Sequence, residues 1–249
     1  MLLNLRLLVS GDHRHHRHAY DRTFDRKYGV DTAGTVAAEE LEAAEELKSG
    51  AARYEAADPD FFEFLLQRAE LADRDGQLFV DLGAGKGRGL LLAALAGFPR
   101  VIGVEMDPRL CGVARRNIEI FKSRCPTVQL ELVNGDASSF DFPPVPTVLF
   151  LNNPFNERVL EKVLANVEQG HRATRRLVLI YMHSNHADTI RGRSGWEQID
   201  QGTFRSRRHF YEIFRWRGAR LQDDAGEQAI RAQGSPASGN SEVMDNPGG

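Results

Sequence analysis

The sequence predicts a doubly wound α/β fold: a mostly parallel sheet with a C-terminal antiparallel hairpin, preceded by an N-terminal helical extension. Three observations lead there. From Gln77 onward, short apolar runs alternate with helical stretches, and apolar strands of that kind belong to a parallel sheet covered on both faces. A glycine-rich turn, Gly83-Ala84-Gly85-Lys86-Gly87, stands where the first such strand meets a helix. The alternation then gives way at Trp196–Ile199 and His209–Trp216 to two strand-like runs in succession, which read as a hairpin.

In chain order, residues 1–28 form a polar arm in which Asp12-His13-Arg14-His15-His16-Arg17-His18 holds four of the eight histidines. Imidazoles are good ligands for zinc, nickel or copper, but the spacing matches no closed zinc pattern and no cysteine completes it, so no metal site is assigned. Residues 36–48, rich in Ala, Glu and Leu, predict a helix, and a second helix starts at an Asp58 N-cap and runs to Leu71. After the Asp75-Gly76 turn come the strand Leu78–Leu82, the helix Gly89–Ala96 and the strand Val101–Glu105. A helix follows Pro108, with Leu110, Val113, Ala114, Ile118 and Phe121 on one face. Strands at Val128–Val133 and Val148–Leu151, a helix carrying Val159 to Val167, and a strand at Leu177–Met182 complete the Rossmann-like core. From 222 the chain is Gly, Ser, Asp, Gln and Pro with almost no large apolar residue, so 222–249 is expected to be a disordered tail. The expected division is therefore an arm and helical lid over 1–76, a core over 77–221, and the tail.

Composition narrows the classes further. The chain has 249 residues, 41% hydrophobic and 27% charged, which is ordinary for a globular protein with one large core. A formal net charge of −3 provides no global pull toward nucleic acid. Two cysteines, Cys111 and Cys125, make no disulfide framework, no apolar run approaches the ~20 residues of a membrane span, and the first nine residues make a poor signal peptide. A cytoplasmic protein is expected, with no membrane partner and an open oligomeric state.

The glycine spacing separates nucleotide-binding loops. A dinucleotide fingerprint needs a sixth-position glycine, but counting from Gly83 or Gly85 meets Arg88 or Leu90. A phosphate-binding loop needs Ser or Thr after Gly85-Lys86, and Gly87 stands there. What remains is Asp81-x-Gly83-x-Gly85-x-Gly87. Together with Gly103-Val104-Glu105-Met106-Asp107-Pro108 and Asn134-Gly135-Asp136-Ala137, this resembles the class I S-adenosylmethionine-dependent methyltransferases over about residues 77–182. The resemblance implies S-adenosylmethionine as cofactor. It implies that Gly83, Gly85 and Gly87 wrap the methionine part and that Asp81 holds its amino group. Glu105 would take both ribose hydroxyls, and Asp136 with Ala137 would meet the adenine edge.

In that family the methyl acceptor sits after the fourth strand, here at Asn152-Asn153-Pro154-Phe155. The segment looks like the Asn-Pro-Pro-Tyr motif of enzymes that methylate amino or amide nitrogens, with Asn153 in place of the first proline. It is also similar to the Asn-Asn segment of the non-SET histone lysine methyltransferases. The carry-over makes Asn152, Pro154 and Phe155 the candidate catalytic residues, Asn152 as the hydrogen-bond acceptor that orients the nitrogen and Phe155 as a platform. The plain alternative is a helix cap by Asn153 or Asn156.

Three further features are open to two readings each. His183-Ser184-Asn185-His186 follows the fifth strand, where a histidine can serve as general base or simply sit in a loop. Asp25-Arg26-Lys27-Tyr28-Gly29-Val30-Asp31-Thr32 resembles the segment ahead of the fold in bacterial members of unassigned substrate, and reads either as a lid with Tyr28 and Asp31 facing the pocket or as a surface loop. The stretch 204–217 interleaves arginines, Arg205, Arg207 and Arg208 among them, with aromatics. It suits nucleic acid or an anionic partner, or a closing strand with Phe210, Phe214 and Trp216 on one inward face. The function expected is methyl transfer to an unidentified acceptor, a protein or other nitrogen nucleophile. Small-molecule methylation and a non-catalytic binding protein are the alternatives.

Overall fold

Two short strands, β1 Thr35–Val36 and β2 Tyr54–Glu55, precede the main sheet. Its seven strands are β3 Leu78–Leu82, β4 Arg100–Glu105, β5 Gln129–Asn134, β6 Thr147–Asn152, β7 Leu177–Met182, β8 Trp196–Phe204 and β9 Ser206–Trp216. They lie in the order β5-β4-β3-β6-β7-β9-β8. The first five are parallel to their neighbours, with Leu78 opposite both Arg100 and Thr147. The last two are antiparallel, β9 pairing with β7 from Leu177↔Trp216 to Met182↔Tyr211. The chain moves outward from β3 through β4 to β5, then returns to place β6 on the other side of β3. Ligands of doubly wound folds bind at such a reversal, beyond the carboxyl ends of the strands. The architecture is the one expected.

This computed structural model describes residues 22–42, 49–71, 74–171 and 176–218, without the side chains of 206–208. The histidine cluster at 13–18, residues 43–48, the tail at 222–249 and the side chains of Arg207 and Arg208 lie outside that description. The helices are α1 over 22–28, α2 Pro59–Arg68, α3 Arg88–Leu95, α4 Pro108–Lys122, α5 Glu157–Gly170 and α6 Ala187–Arg191. Their starts follow local chemistry. Asp58, Asp107 and Asn156 accept from the backbone N–H three residues on, at Phe61, Leu110 and Val159, and Pro59 and Pro108 occupy first-turn positions that need no N–H donor. Of the two asparagines considered as caps, Asn156 is the one that caps.

Alternation along each strand feeds two cores. Phe79 of β3 points to the face covered by Phe61, Phe62, Leu65 and Leu66 of α2 and by α3. Leu78, Val80 and Leu82 point to the face covered by Leu160, Val163, Leu164 and Val167 of α5. The closing strand differs from expectation, because both of its faces are buried. Phe214 and Trp216 enter one core while Tyr211 and Ile213 enter the other, and Phe210 is only partly buried. The hairpin is also longer than expected and turns on Arg205 alone, at φ 55°.

The expected helix over 36–48 is not formed in its described part. β1 pairs with β2, and Ala38–Glu40 is a single 3₁₀ turn. Tertiary bonds replace the helical ones: Glu42 N donates to Asp107 Oδ2 at 2.6 Å, and Arg109 donates to the Glu40 carbonyl at 2.6 Å. Among the described residues no helix is long and apolar enough to cross a membrane.

Candidate active site

The turn after β3 uses glycine where a side chain cannot go. Gly83, Gly85 and Gly87 have φ of 79°, 55° and 87°, a region open to glycine and strained for others. Space forbids a side chain as well. A Cβ on Gly83 would lie 2.5 Å from Pro154 Cβ, and one on Gly85 would overlap the Tyr54 ring. The turn is held from below, because Gly83 N and Ala84 N donate to the Val104 carbonyl and Gly85 N donates to Glu105 Oε2 at 2.7 Å. The other oxygen of Glu105 accepts from Asp107 N at 2.8 Å. A carboxylate with two oxygens keeps acceptor capacity beyond these bonds.

Glu105 is 6% exposed and Asp81 4%. Burial pushes Glu105 up, while the N–H groups of Asp107 and Gly85 pull it back. Burial, and then the nearby Glu105 charge, pushes Asp81 up to about 8. Asp81 lies directly beneath the start of α3, where a Cβ on Gly89 would collide with its Oδ2.

A cavity of about 500 Å³ opens at the carboxyl ends of β3, β4 and β6. It brings together seven of the residues singled out from sequence: Gly83, Glu105, Asp136, Ala137, Asn152, Pro154 and Phe155. The other three, Asp81, Gly85 and Gly87, are not in its lining. Asp81 supports the turn from inside the fold, the Tyr54 ring covers Gly85, and Gly87 faces Ala114. Asp136 caps the short turn Ala137–Ser139, accepting from Ser138 N at 2.8 Å and Ser138 Oγ at 2.6 Å.

The Asn152–Phe155 loop is roofed by residues 49–55. Ala52 N donates to the Pro154 carbonyl at 2.9 Å, and Asn156 N donates to the Gly50 carbonyl at 2.8 Å. Asn152 Nδ2 donates to the Glu55 carbonyl at 2.9 Å, and its Oδ1 stands 2.9 Å from His183 Nδ1. Asn153 has φ 47°, a value closed to proline, and its Oδ1 accepts from Tyr181 OH at 3.0 Å. The loop therefore does not follow the path that an Asn-Pro-Pro-Tyr motif would take, since proline at 153 would be incompatible with it.

Sequence reasoning missed Tyr54, Glu55 and the rest of this roof, although Tyr54 lines the cavity, covers Gly85 with its ring and donates from its hydroxyl to the Thr32 carbonyl at 2.6 Å. The only local signal is an isolated aromatic in an Ala-rich stretch. Of the two readings of residues 25–32, a lid with Tyr28 and Asp31 facing the pocket is not the one that forms. Tyr28 packs on Phe24 and Phe121, and Asp31 accepts from Lys86 Nζ at 2.9 Å; neither lines the cavity. Their segment clamps the outer side of the glycine turn. Arg88, 1% exposed, donates to Thr32 Oγ1 and at 3.1 Å to Asp25 Oδ1. His183 sits behind Asn152 and outside the lining, and Arg205 pairs with Asp60 at 2.8 Å, away from the cavity.

The residues fit S-adenosylmethionine on this structure's own evidence. Gly83 brings the backbone of the turn to the cavity wall, a buried carboxylate with spare lone pairs reaches the cavity, and the volume lies in the ~300–1,000 Å³ range of small-molecule sites. Among the described residues no group of three or more His, Cys, Asp or Glu side chains is arranged to hold a metal ion.

The model of the family described as "Histone methylation protein DOT1" matches residues 38–190 of the 249. Ribosomal RNA small subunit methyltransferase A of a Synechococcus strain is 33% identical over 129 residues, covering 49% of this chain and 43% of that protein. The chain thus spans less than half the length of the curated relatives it matches. Among solved structures, a point mutant of MtNAS in complex with S-adenosylmethionine is similar in fold, at 18% identity and TM-score 0.50, over 64% of this chain and 62% of that one. A candidate RNA methyltransferase from Pyrococcus horikoshii aligns at 21% identity and TM-score 0.49, over 64% and 85%.

Proposed function

The chain belongs to the family described as histone methylation protein DOT1, with the fold and cofactor of a class I S-adenosylmethionine-dependent methyltransferase, and on that premise we propose that it transfers a methyl group to a nitrogen nucleophile of a macromolecule, in the first place a protein side chain. One observation carries the reading: a single cavity of about 500 Å³ joins the buried Glu105 carboxylate to Asn152 and Phe155.

S-adenosylmethionine, when bound, supplies a methyl on a sulfonium that is already a good leaving group. The protein's task is then alignment and exclusion of water. Glu105 would hold the ribose hydroxyls on the lone pairs that the backbone N–H donors leave over. The turn would offer its backbone at Gly83 to the methionine part, Asp81 would act on the amino group from inside the turn, and Asp136 with Ala137 would meet the adenine edge. Asn152 Oδ1 accepts an N–H of the incoming nitrogen, which aims its lone pair at the methyl, while Phe155 packs on the acceptor and Pro154 keeps the loop against Gly83. An amide is not a base, so the acceptor must arrive neutral and its surplus proton leaves to water.

The net charge of −3 and the pairing of Arg205 with Asp60 support a basic protein over RNA. A second reading, a small-molecule acceptor, is favoured by one feature: the 49–55 roof over the Asn152–Phe155 loop.

Calorimetric titration of S-adenosylmethionine and S-adenosylhomocysteine into the wild type and Glu105→Ala tests the site. Micromolar binding to the wild type, weakened about tenfold or more in the variant, is expected. Labelled-methyl transfer onto purified histones, ribosomal RNA and an amine metabolite set then separates the acceptor classes. No binding of either ligand to the wild type overturns the proposal.

A further inference from the structure

We infer that His183 is a positioning residue for Asn152, fixing which end of its amide faces the acceptor; this rests on the reading of Asn152 given above. The hydrogen bonds settle the argument about atoms. The Glu55 carbonyl can only accept, so the Asn152 group 2.9 Å from it must be the NH₂. Oδ1 is therefore the atom 2.9 Å from His183 Nδ1, and Nδ1 must carry the proton. Without that donor, rotation of the amide would cost Asn152 only its bond to Glu55. With it, rotation would also set an NH₂ against an N–H. His183 holds Oδ1 in place and leaves its second lone pair for a substrate N–H.

The histidine is itself held in an uncommon pose. Its φ is 53°, its backbone N donates to the Phe210 carbonyl at 2.8 Å, and its ring lies edge-on to Phe61 at 5.8 Å and Phe210 at 6.3 Å. A left-handed histidine packed between two strands and a helix is a costly way to make a loop, and such strain collects at functional positions.

The test uses sinefungin, an S-adenosylmethionine analogue with an amine in place of the methyl-bearing sulfonium, against S-adenosylhomocysteine, which lacks it. The ratio of the two dissociation constants reads the Asn152 carbonyl. Asn152→Ala, His183→Asn and His183→Gln are titrated beside the wild type. Asn places an N–H donor where Nδ1 was and tolerates positive φ; Gln places it where Nε2 was. The wild type and His183→Asn are expected to prefer sinefungin by about tenfold, and Asn152→Ala and His183→Gln to lose that preference, with S-adenosylhomocysteine affinity held within about twofold in the two His183 variants. Nitrogen-15 spectra of labelled histidine are expected to show His183 with its proton on Nδ1.

If Asn152→Ala loses the preference but His183→Gln keeps it, the role of His183 falls and that of Asn152 stands. If the wild type shows no preference, or Asn152→Ala keeps it, the reading of Asn152 falls and takes this inference with it. Loss of S-adenosylhomocysteine binding in both His183 variants makes His183 structural only, and overturns the proposal.

Discussion

Gly83 and Pro154 meet at the joint between the glycine turn and the Asn152–Phe155 loop, so closely that a Cβ on the glycine would stand 2.5 Å from the proline's Cβ. The two loops are thus one mechanical unit, and a change at Gly83 is felt at both ends of the cavity. With φ 79° at the same residue, Gly83→Ala faces conformational strain as well as a clash. We expect it to lower stability by roughly 1–3 kcal/mol, a fall in Tm of about 2–4 °C per kcal/mol for a chain of this size, and to weaken S-adenosylmethionine binding. Thermal unfolding and calorimetry check both halves; an unchanged melting point would show that the joint yields freely.

Asp81 links the site to pH. Its pKa of about 8 in the folded chain is above the ordinary carboxyl value of 3.8, so the folded protein holds a proton there that the unfolded chain has released. The stabilisation from that proton is complete below about pH 4 and is lost as pH rises toward 8. Asp81→Asn cannot ionise, so its stability relative to wild type is expected to improve between pH 6 and pH 8.5, as measured by melting temperatures. Cofactor titrations in buffers of different ionisation enthalpy are expected to show proton release near neutral pH in the wild type and less of it in Asp81→Asn.

Asn153→Pro would restore the Asn-Pro-Pro wording of the related motif, and is expected to damage the protein. Proline holds φ near −65°, and the residue stands at +47°. A loss of about 3 kcal/mol or more is expected, together with loss of the Tyr181 bond, whereas Asn153→Gly should be tolerated far better. Denaturant midpoints of the two variants make the comparison; a proline variant as stable as wild type would refute the left-handed loop.

Asp25 ties the N-terminal segment to the back of the glycine turn. It accepts from Thr32 N at 2.8 Å, Thr32 Oγ1 at 2.5 Å and Ala33 N at 2.7 Å, besides Arg88 at 3.1 Å. Asp25→Ala leaves the buried guanidinium without this carboxylate, and a destabilisation of about 3–5 kcal/mol is expected from urea unfolding. Protease cleavage between residues 22 and 42 should accelerate in parallel.

What could be seen in the sequence was what lies close together along it. Asp81 through Gly87, Glu105, and Asp136-Ala137 each follow a strand end directly, so strand periodicity and glycine spacing locate them. The alternation within β3 likewise assigns Leu78 and Phe79 to opposite cores. Tyr54 and Glu55 escaped because their partners, Thr32 and Asn152, are joined to them by bonds that leave no periodic trace. The helix expected over 36–48 is not formed at 36–42 for a related reason. Its composition favours helix, but Asp107 and Arg109 capture Glu42 N and the Glu40 carbonyl from across the fold. Asn153 departs from the proline motif in the sequence itself, but nothing local to it dictates the positive φ that it adopts.

The roof over the Asn152–Phe155 loop bears on any attempt to dissect this protein. Eight of the twenty-four residues around the cavity, Leu41 and the run Ser49–Glu55, precede Gln77 in the chain. A fragment trimmed to the motif-bearing sheet would keep every signature by which the site is recognised. It would also lose a third of the cavity wall, the aromatic lid on Gly85 and the anchor of the Asn152 amide. Such a fragment could score as complete by its motifs and still be inert.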